Sequence, residues 1–345
     1  MQEKRASVKD IAARLHISLS TVHKALTGKP GVSEARREQV RSVAEELGYV
    51  VNTAAQSLAR KTINLAVIMP SQWQEYFDEL KTGMEKEIAL LSECRISGTF
   101  VYITDDTKTD ELCTQIKNIG ADLIIVCSST FGLSKTVRSA TDRLNLPVFR
   151  VGGGVDNPGS ICDVTIDAPL SGKLAADFLS CTVREDVRAA VFTGSLDIAV
   201  HKSKTESFIA RIASNGGSTL EVCETEDNEK TAYCMVSELF KNHPDINCIY
   251  VSTSTSQSVC RYIEENGLKE KVTLVGTDVF DALREYVKRG IMQATIYQNQ
   301  EKVGRCAIRH AYEYLNIKNS YGGCDKDPER NVLVSPALLL RANIE

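Results

Sequence analysis

Near the start of the chain, Ser18, Ser20, Thr21, His23 and Lys24 crowd polar chemistry into a short stretch. Helical spacing turns Val22, Ala25 and Leu26 to one side and Ser20, His23, Lys24 and Thr27 largely to another. Such a polar face suits hydrogen bonding to base edges in a DNA major groove. A small helical bundle that binds protein would carry the same pattern. Further on, Trp73 is the only tryptophan, with Tyr76 and Phe77 beside it. These aromatics could plate the apolar face of a sugar or pack under a helix. Lys204 could meet a carboxylate or a hydroxyl, or lie on a solvated helix face. Asp278 follows an apolar run and could hold paired hydroxyls or cap the next helix; Gln298 has the same choice of roles after a later run.

No catalytic constellation is expected. His201, Lys204 and Glu206 have no partnered nucleophile, and the five histidines lack metal spacing. The closest of the eleven cysteines, Cys223 and Cys234, are eleven positions apart, so no zinc motif exists and free thiols are expected. Gly152-Gly-Gly154 lacks the G-x-G-x-x-G spacing of a dinucleotide site. No metal and no other cofactor is expected.

The elements that must position these groups begin with a basic module. Residues 1–62 hold eleven Lys/Arg against six Asp/Glu, an excess of five positive charges on a chain of net charge −4. A polyanion partner at one end fits that asymmetry. Ser7-Val-Lys-Asp10 has the form of a helix cap, followed by apolar Val8, Ile11, Ala12 and Leu15 on one face. Ser18 can cap a second helix, Leu19 to Leu26, and Ser33 a third with Val40, Val43, Ala44 and Leu47 inward. Gly28-Lys-Pro-Gly31 predicts a turn. Three short helices in fifty residues fit a helix–turn–helix. Asn52–Arg60 is an uncapped helical stretch, too short to be stable unless something docks on it.

The length of 345 residues suggests two or three domains. Apolar runs reach only five residues, so no membrane span is expected. The charged start MQEKRASVKD is no secretory signal, which predicts a cytoplasmic protein. From Ile63 onward strands are expected at 63–69, 98–104, 122–128, 147–152, 189–194, 219–224, 248–253, 272–277 and 291–297. Helices are expected at 75–92, 109–119, 132–143, 169–181, 202–215, 229–242, 256–267, 279–289 and 300–315. That alternation predicts parallel sheets covered on both faces, and two lobes for its length.

The run Val8-Lys-Asp-Ile-Ala-Ala-Arg-Leu-His-Ile-Ser-Leu-Ser-Thr-Val-His-Lys-Ala-Leu-Thr-Gly-Lys-Pro-Gly-Val-Ser33, with Glu45-Glu-Leu-Gly-Tyr49 and Asn52-Thr-Ala-Ala-Gln-Ser-Leu58, closely resembles the headpiece of the lactose-repressor (LacI) family. Downstream, Asp167–Ala176, His201-Lys-Ser-Lys-Thr-Glu-Ser-Phe208, Gly276-Thr-Asp278 and Tyr297-Gln298 extend the resemblance over essentially the whole chain. It implies an α/β protein: an all-α helix–turn–helix headpiece at 1–50, a hinge at 51–62, and a two-lobed, doubly wound body like a periplasmic binding protein at 63–345. The implied lobes are about 63–163 with 298–328, and about 164–297 with 329–345.

The resemblance also implies roles. Leu19, Ser20 and Lys24 would read bases; Ser7, Ser18, Thr21, His23 and Ser33 would meet phosphates. Asn52 opens the hinge, and Ala55 and Leu58 fall where the family enters the minor groove, each Leu wedging into a base step. Trp73, Phe77, Lys204, Asp278 and Gln298 are the candidates for holding a small-molecule effector, a sugar or sugar derivative. The implied partners are a pseudo-palindromic DNA operator, that effector and a second copy of the chain. Lys24 replaces the usual Arg, His23 the usual Ser and Val51 the common hinge Pro; the first two affect which operator is read, and the third loosens the hinge. A nucleobase-type co-repressor or a protein co-regulator is the alternative control. A sugar-binding receptor without gene regulation is a more distant alternative.

Overall fold

The computed structural model describes residues 7–26, 31–47, 49, 62–71, 74–127, 135–153, 159–321 and 329–344. Asn52, Ala55, Leu58 and Trp73 therefore lie outside the described residues, as does most of the expected turn at 28–31.

The N-terminal helices are α1 (Val8–Leu15), α2 (Leu19–Leu26) and α3 (Glu34–Glu46). The Asp10 carboxylate accepts from the Ser7 amide at 2.7 Å and the Ser7 hydroxyl at 2.6 Å, which fixes the start of α1. His16 then adopts a left-handed conformation (φ 51°) that ends the helix. The Ser18 hydroxyl accepts from the Thr21 amide at 3.0 Å and starts α2. Ile11, Ala12, Val22, Ala25, Val40 and Ala44 form the buried centre of the three helices. Val43 and Leu47 pack at its edge.

The body contains two six-stranded sheets. The first sheet, in spatial order, is β11 (Asn331–Val334), β5 (Cys162–Ile166), β4 (Val148–Val151), β3 (Leu123–Cys127), β1 (Ile63–Pro70) and β2 (Ile96–Ile103), all parallel. Helices α4 (Gln74–Leu90), α5 (Thr109–Ile119) and α6 (Lys135–Leu144) connect its strands. The second sheet is β12 (Ala337–Leu340), β10 (Ala294–Tyr297), β9 (Thr273–Thr277), β8 (Cys248–Val251), β6 (Arg188–Thr193) and β7 (Ser218–Glu224). Only β12 runs antiparallel to its neighbour. Its helices are α7 (Ala168–Thr182), α8 (Ala199–Ser214), α9 (Glu229–Asn242), α10 (Ser256–Glu265) and α11 (Asp281–Lys288). Strands such as Leu-Ile-Ile-Val-Cys127 are buried throughout, as a sheet covered on both faces requires.

The chain passes between sheets three times: after β5, after β10, and between β11 and β12. After β10, α12 (Gln300–Tyr321) returns to the first sheet, where Val303, Ala307, Ile308, Ala311 and Leu315 join its core. The first sheet takes in β5 and β11, so its lobe extends past the expected limits at 163 and 328. These two strands and β12 are absent from the expected set. In β5, Cys-Asp-Val-Thr-Ile166, Asp163 is buried in register with Arg150, and a buried charge hides a strand from a hydrophobicity reading. The other two are only four residues long and are separated by Ser335-Pro336.

Gly172 sets the position of α8. A Cβ there would lie 2.2 Å from the Lys204 carbonyl oxygen and 2.8 Å from the Phe208 amide, so only glycine lets the two helices touch at Lys204. Overpacking costs roughly 1–3 kcal/mol, and here the obstacle is backbone. Gly172→Ala should therefore destabilise the second lobe by about 3 kcal/mol, lowering Tm by roughly 6–12 °C. An unchanged Tm in a thermal melt would show that the helices part freely.

Candidate functional site

Two surfaces carry the expected chemistry. On α2, Val22 and Ala25 are buried while Leu19, Ser20, His23 and Lys24 are exposed. Leu19 is 48% exposed, an unusual place for a large apolar side chain on so small a domain. The Ser18 and Thr21 hydroxyls lie 2.8 Å apart at the helix N-terminus. Ser33 occupies the N-cap of α3, but its hydroxyl makes no capping bond. The helix thus presents its N-terminal turn and one polar face outward, the arrangement that enters a major groove.

The second surface is a cavity of about 490 Å³ at the carboxyl ends of strands from both sheets. That is where open α/β sheets bind ligands, and the volume suits a small molecule. The first lobe contributes Tyr76, Phe77, Gly152, Thr165 and Ile166. The second contributes His201, Lys204, Asp227, Thr253, Asp278 and Gln298, among others.

A polar chain runs along the wall. Lys204, 2% exposed, donates from Nζ to the Ser252 carbonyl at 3.0 Å and to Gln298 Oε1 at 2.9 Å. Gln298 Nε2 donates to Asp278 Oδ2 at 2.7 Å, and Gln300 Nε2 donates to Asp278 Oδ1 at 2.7 Å. A cation on one side and a carboxylate on the other leave Gln298 a single workable amide orientation. Burial lowers the Lys204 pKa to about 8, opposed by the charges of Asp278 and Asp227. Burial raises Asp278 to about 6, opposed by Lys204 and the two glutamine amides. Asp278 (φ 66°) and Asn299 (φ 56°) are both left-handed, a region that Asp and Asn enter more readily than most residues. The carboxylate therefore grips the β10-to-α12 crossover on both sides of Asn299.

His201 Nδ1 accepts from the Ser195 amide at 3.3 Å, leaving Nε2 to carry the ring proton. Burial and the nearby Lys204 charge hold its pKa down at about 3, so the ring is neutral near pH 7. Across the crossover, the Tyr297 hydroxyl donates to Glu79 on α4, joining the lobes at a second point.

Lys204, Asp278 and Gln298 thus meet in one hydrogen-bonded chain, and Phe77 lines the same cavity. Asp278 is no helix cap, since Phe280 holds the N-cap of α11, and Lys204 is no solvated surface lysine. Gln300 and Asp227 are not among the expected residues. Asp227 follows β7 at a strand carboxyl end, and that position is its available signal. Gln300 reads as an ordinary first helical residue. Among the described residues no helix is long and apolar enough to cross a membrane.

Residues 7–52 match the family described as bacterial regulatory proteins, lacI family, and residues 65–319 match the periplasmic binding protein domain. The chain belongs to the LacI family of transcriptional regulators. The regulator is 28% identical over 327 residues to the HTH-type transcriptional regulator pepR1 of Lactobacillus delbrueckii subsp. lactis, covering 92% of this chain and 93% of that protein. It is 22% identical to catabolite control protein A of Priestia megaterium, covering 90% of this chain and 92% of that one. Its body shares the fold of a periplasmic solute binding protein from Actinobacillus succinogenes 130z, solved with bound D-allose, at a TM-score of 0.68 and 19% identity. That likeness covers 82% of this chain and 99% of the other. The regulator binds DNA through its helix–turn–helix, and its body is of the small-molecule-binding kind.

Proposed function

We propose that this cytoplasmic regulator is a homodimeric repressor that occupies a pseudo-palindromic operator and is released or recruited by a sugar or sugar derivative in the cavity. Leu19, Ser20 and Lys24 read bases. Ser7, Ser18, Thr21, His23 and Ser33 hold phosphates, which fix register without reading sequence. Asn52 begins the hinge, Ala55 follows it into the minor groove, and Leu58 is the apolar wedge.

One observation carries the allosteric part. The Lys204–Gln298–Asp278–Gln300 chain joins the cavity wall directly to the segment where the chain recrosses from one lobe to the other. A ligand that competes for any of these groups alters the same bonds that hold the crossover. If effector and operator prefer different lobe arrangements, each weakens the other by one factor; if they prefer the same arrangement, each strengthens the other. Tyr76 and Phe77 support a ring-shaped ligand, and Trp73 extends that aromatic set in sequence.

Selection of binding sites from random DNA, with sedimentation of the complex, tests the first part. The expected product is a two-fold symmetric site holding two chains; an asymmetric site holding one chain would contradict the reading. Leu58→Ala should weaken operator binding about tenfold or more, equivalent to ~1.4 kcal/mol, while leaving ligand-induced thermal shifts unchanged. Equal operator affinity by fluorescence anisotropy would remove the wedge.

A further inference from the structure

We propose that the cavity selects an uncharged or amine-bearing polyhydroxylated ring and rejects phosphorylated or carboxylated counterparts, with Asp227 accepting a hydrogen bond from the ligand. This rests on the carbohydrate reading above and narrows it. The first ground is charge. Among the described residues, four carboxylates line the cavity (Glu75, Asp227, Glu229 and Asp278) against one cation, Lys204, and no arginine. Two of the ammonium's three protons already go to Ser252 and Gln298, which leaves one for a ligand. Phosphates and carboxylates are gripped best by arginine forks or by cations with donors to spare. The segments that follow β1, β3 and β4 in sequence, at 71–73, 128–134 and 154–158, contain no Lys or Arg to supply one.

The second ground is an acceptor without a donor. Asp227 Oδ1 is buried and has no hydrogen-bond partner; the Thr165 hydroxyl across the cavity, also unpartnered, can donate or accept and so does not discriminate by charge. Burial raises the Asp227 pKa, with the neighbouring Thr253 hydroxyl and the Lys204 charge opposing. Buried polar atoms without a partner are costly and need explanation by a ligand, ion or water. The backbone shows that Asp227 is held in place. Glu226 (φ 53°) and Asp227 (φ 52°) are consecutive left-handed residues, neither of them glycine, between β7 and the Asn228 cap of α9. Strain of that kind persists where surrounding structure enforces it and gathers at ligand clamps. A ligand hydroxyl or ammonium supplies the missing donor; a phosphate or carboxylate brings only further acceptors and like charge.

The test is calorimetric titration of the full chain with matched series: neutral hexoses, their 2-amino forms, their 6-phosphates and their uronates. In the series that binds best, the neutral or amino member should be at least about tenfold tighter than the anionic ones. Asp227→Asn should weaken that member about tenfold and narrow the gap to the phosphate. An anionic member binding as tightly as the neutral one in the unmodified chain overturns the inference while the carbohydrate reading stands. So does unchanged affinity in a folded Asp227→Asn. Silence of every series, with or without binding of a nucleobase, defeats both.

Discussion

Asp278→Ala is expected to abolish the response of operator binding to effector while leaving operator affinity itself near that of the unmodified protein. The carboxylate accepts from both the Gln298 and Gln300 side-chain amides in the wall, and it faces the buried Lys204 charge. Removing it frees the crossover from the cavity and strands a cation. Breaking one side of a buried charge pair costs about 3–5 kcal/mol, so the second lobe should also melt at a lower temperature. The headpiece has its own core and makes its DNA contacts elsewhere. Operator titration with and without effector checks the claim, and a dose response like that of the unmodified protein would refute it.

The second expectation concerns how the wall is paired. In Asp278→Asn with Lys204 kept, the ammonium still demands Gln298 Oε1. Gln298 must then point its NH₂ toward an asparagine whose single carbonyl has replaced the two oxygens that served both glutamines. One glutamine amide is left without an acceptor, and a buried ammonium has lost its counter-charge. Destabilisation of about 3 kcal/mol follows. Adding Lys204→Met changes the outcome. Gln298 can flip, accept from the introduced asparagine amide and turn its own amide toward Ser252, while Gln300 keeps donating to the asparagine carbonyl, so no charge is left buried and no wall donor loses its acceptor. Replacing a buried ion pair in this way is often neutral or stabilising by about 1–4 kcal/mol. The double variant should match or exceed the unmodified protein in stability while binding no effector.

The pH dependence follows from the two shifts. Asp278 titrates at about 6 instead of 3.8, so its stabilising contribution is complete below its ordinary pKa and is lost as pH rises through 6. Lys204 titrates at about 8 instead of 10.5, so its contribution is complete above its ordinary pKa and is lost as pH falls through 8. The charged pair therefore burdens the fold most between about pH 6 and 8. The advantage of the double variant should peak there, as pH-dependent thermal melts of the two proteins would show. A double variant as unstable as Asp278→Asn alone would show that the pair holds the lobe together.

Sequence patterning carries far in this chain. Nine expected strands overlap nine observed ones: central strands such as β1 and β3, covered on both faces, read as nearly unbroken apolar segments, while the edge strands β2 and β7 alternate with polar residues. The three helices of the headpiece follow from their caps and periodicity. Legibility fails where local signals conflict with their surroundings. Asp163 disguises β5, and β11 and β12 are divided only by Ser335-Pro336 with no helix between them, which breaks the strand–helix alternation that marks the others. In the cavity, strand-end position singles out Asp278 and Gln298, and the resemblance adds Lys204. Their assembly into one chain brings Lys204 against Gln298, 94 positions away, and against the Ser252 carbonyl, 48 positions away, which no local pattern encodes. Asp227 has only a strand-end position to mark it, shared with its polar neighbours; its left-handed backbone and missing partner exist only in the fold.

In the proposed mechanism the cavity and the DNA-binding surface are linked through the β10-to-α12 crossover. The most direct test of that link is operator affinity of the full chain, measured by anisotropy across the neutral and amino sugar series, in the unmodified protein and in Asp278→Ala. One sugar should change operator affinity by at least about fivefold, the lower end of common allosteric couplings, in the unmodified protein and leave the variant unmoved. If that sugar binds the cavity while operator affinity stays constant, or if the variant responds equally, the crossover does not connect the two sites.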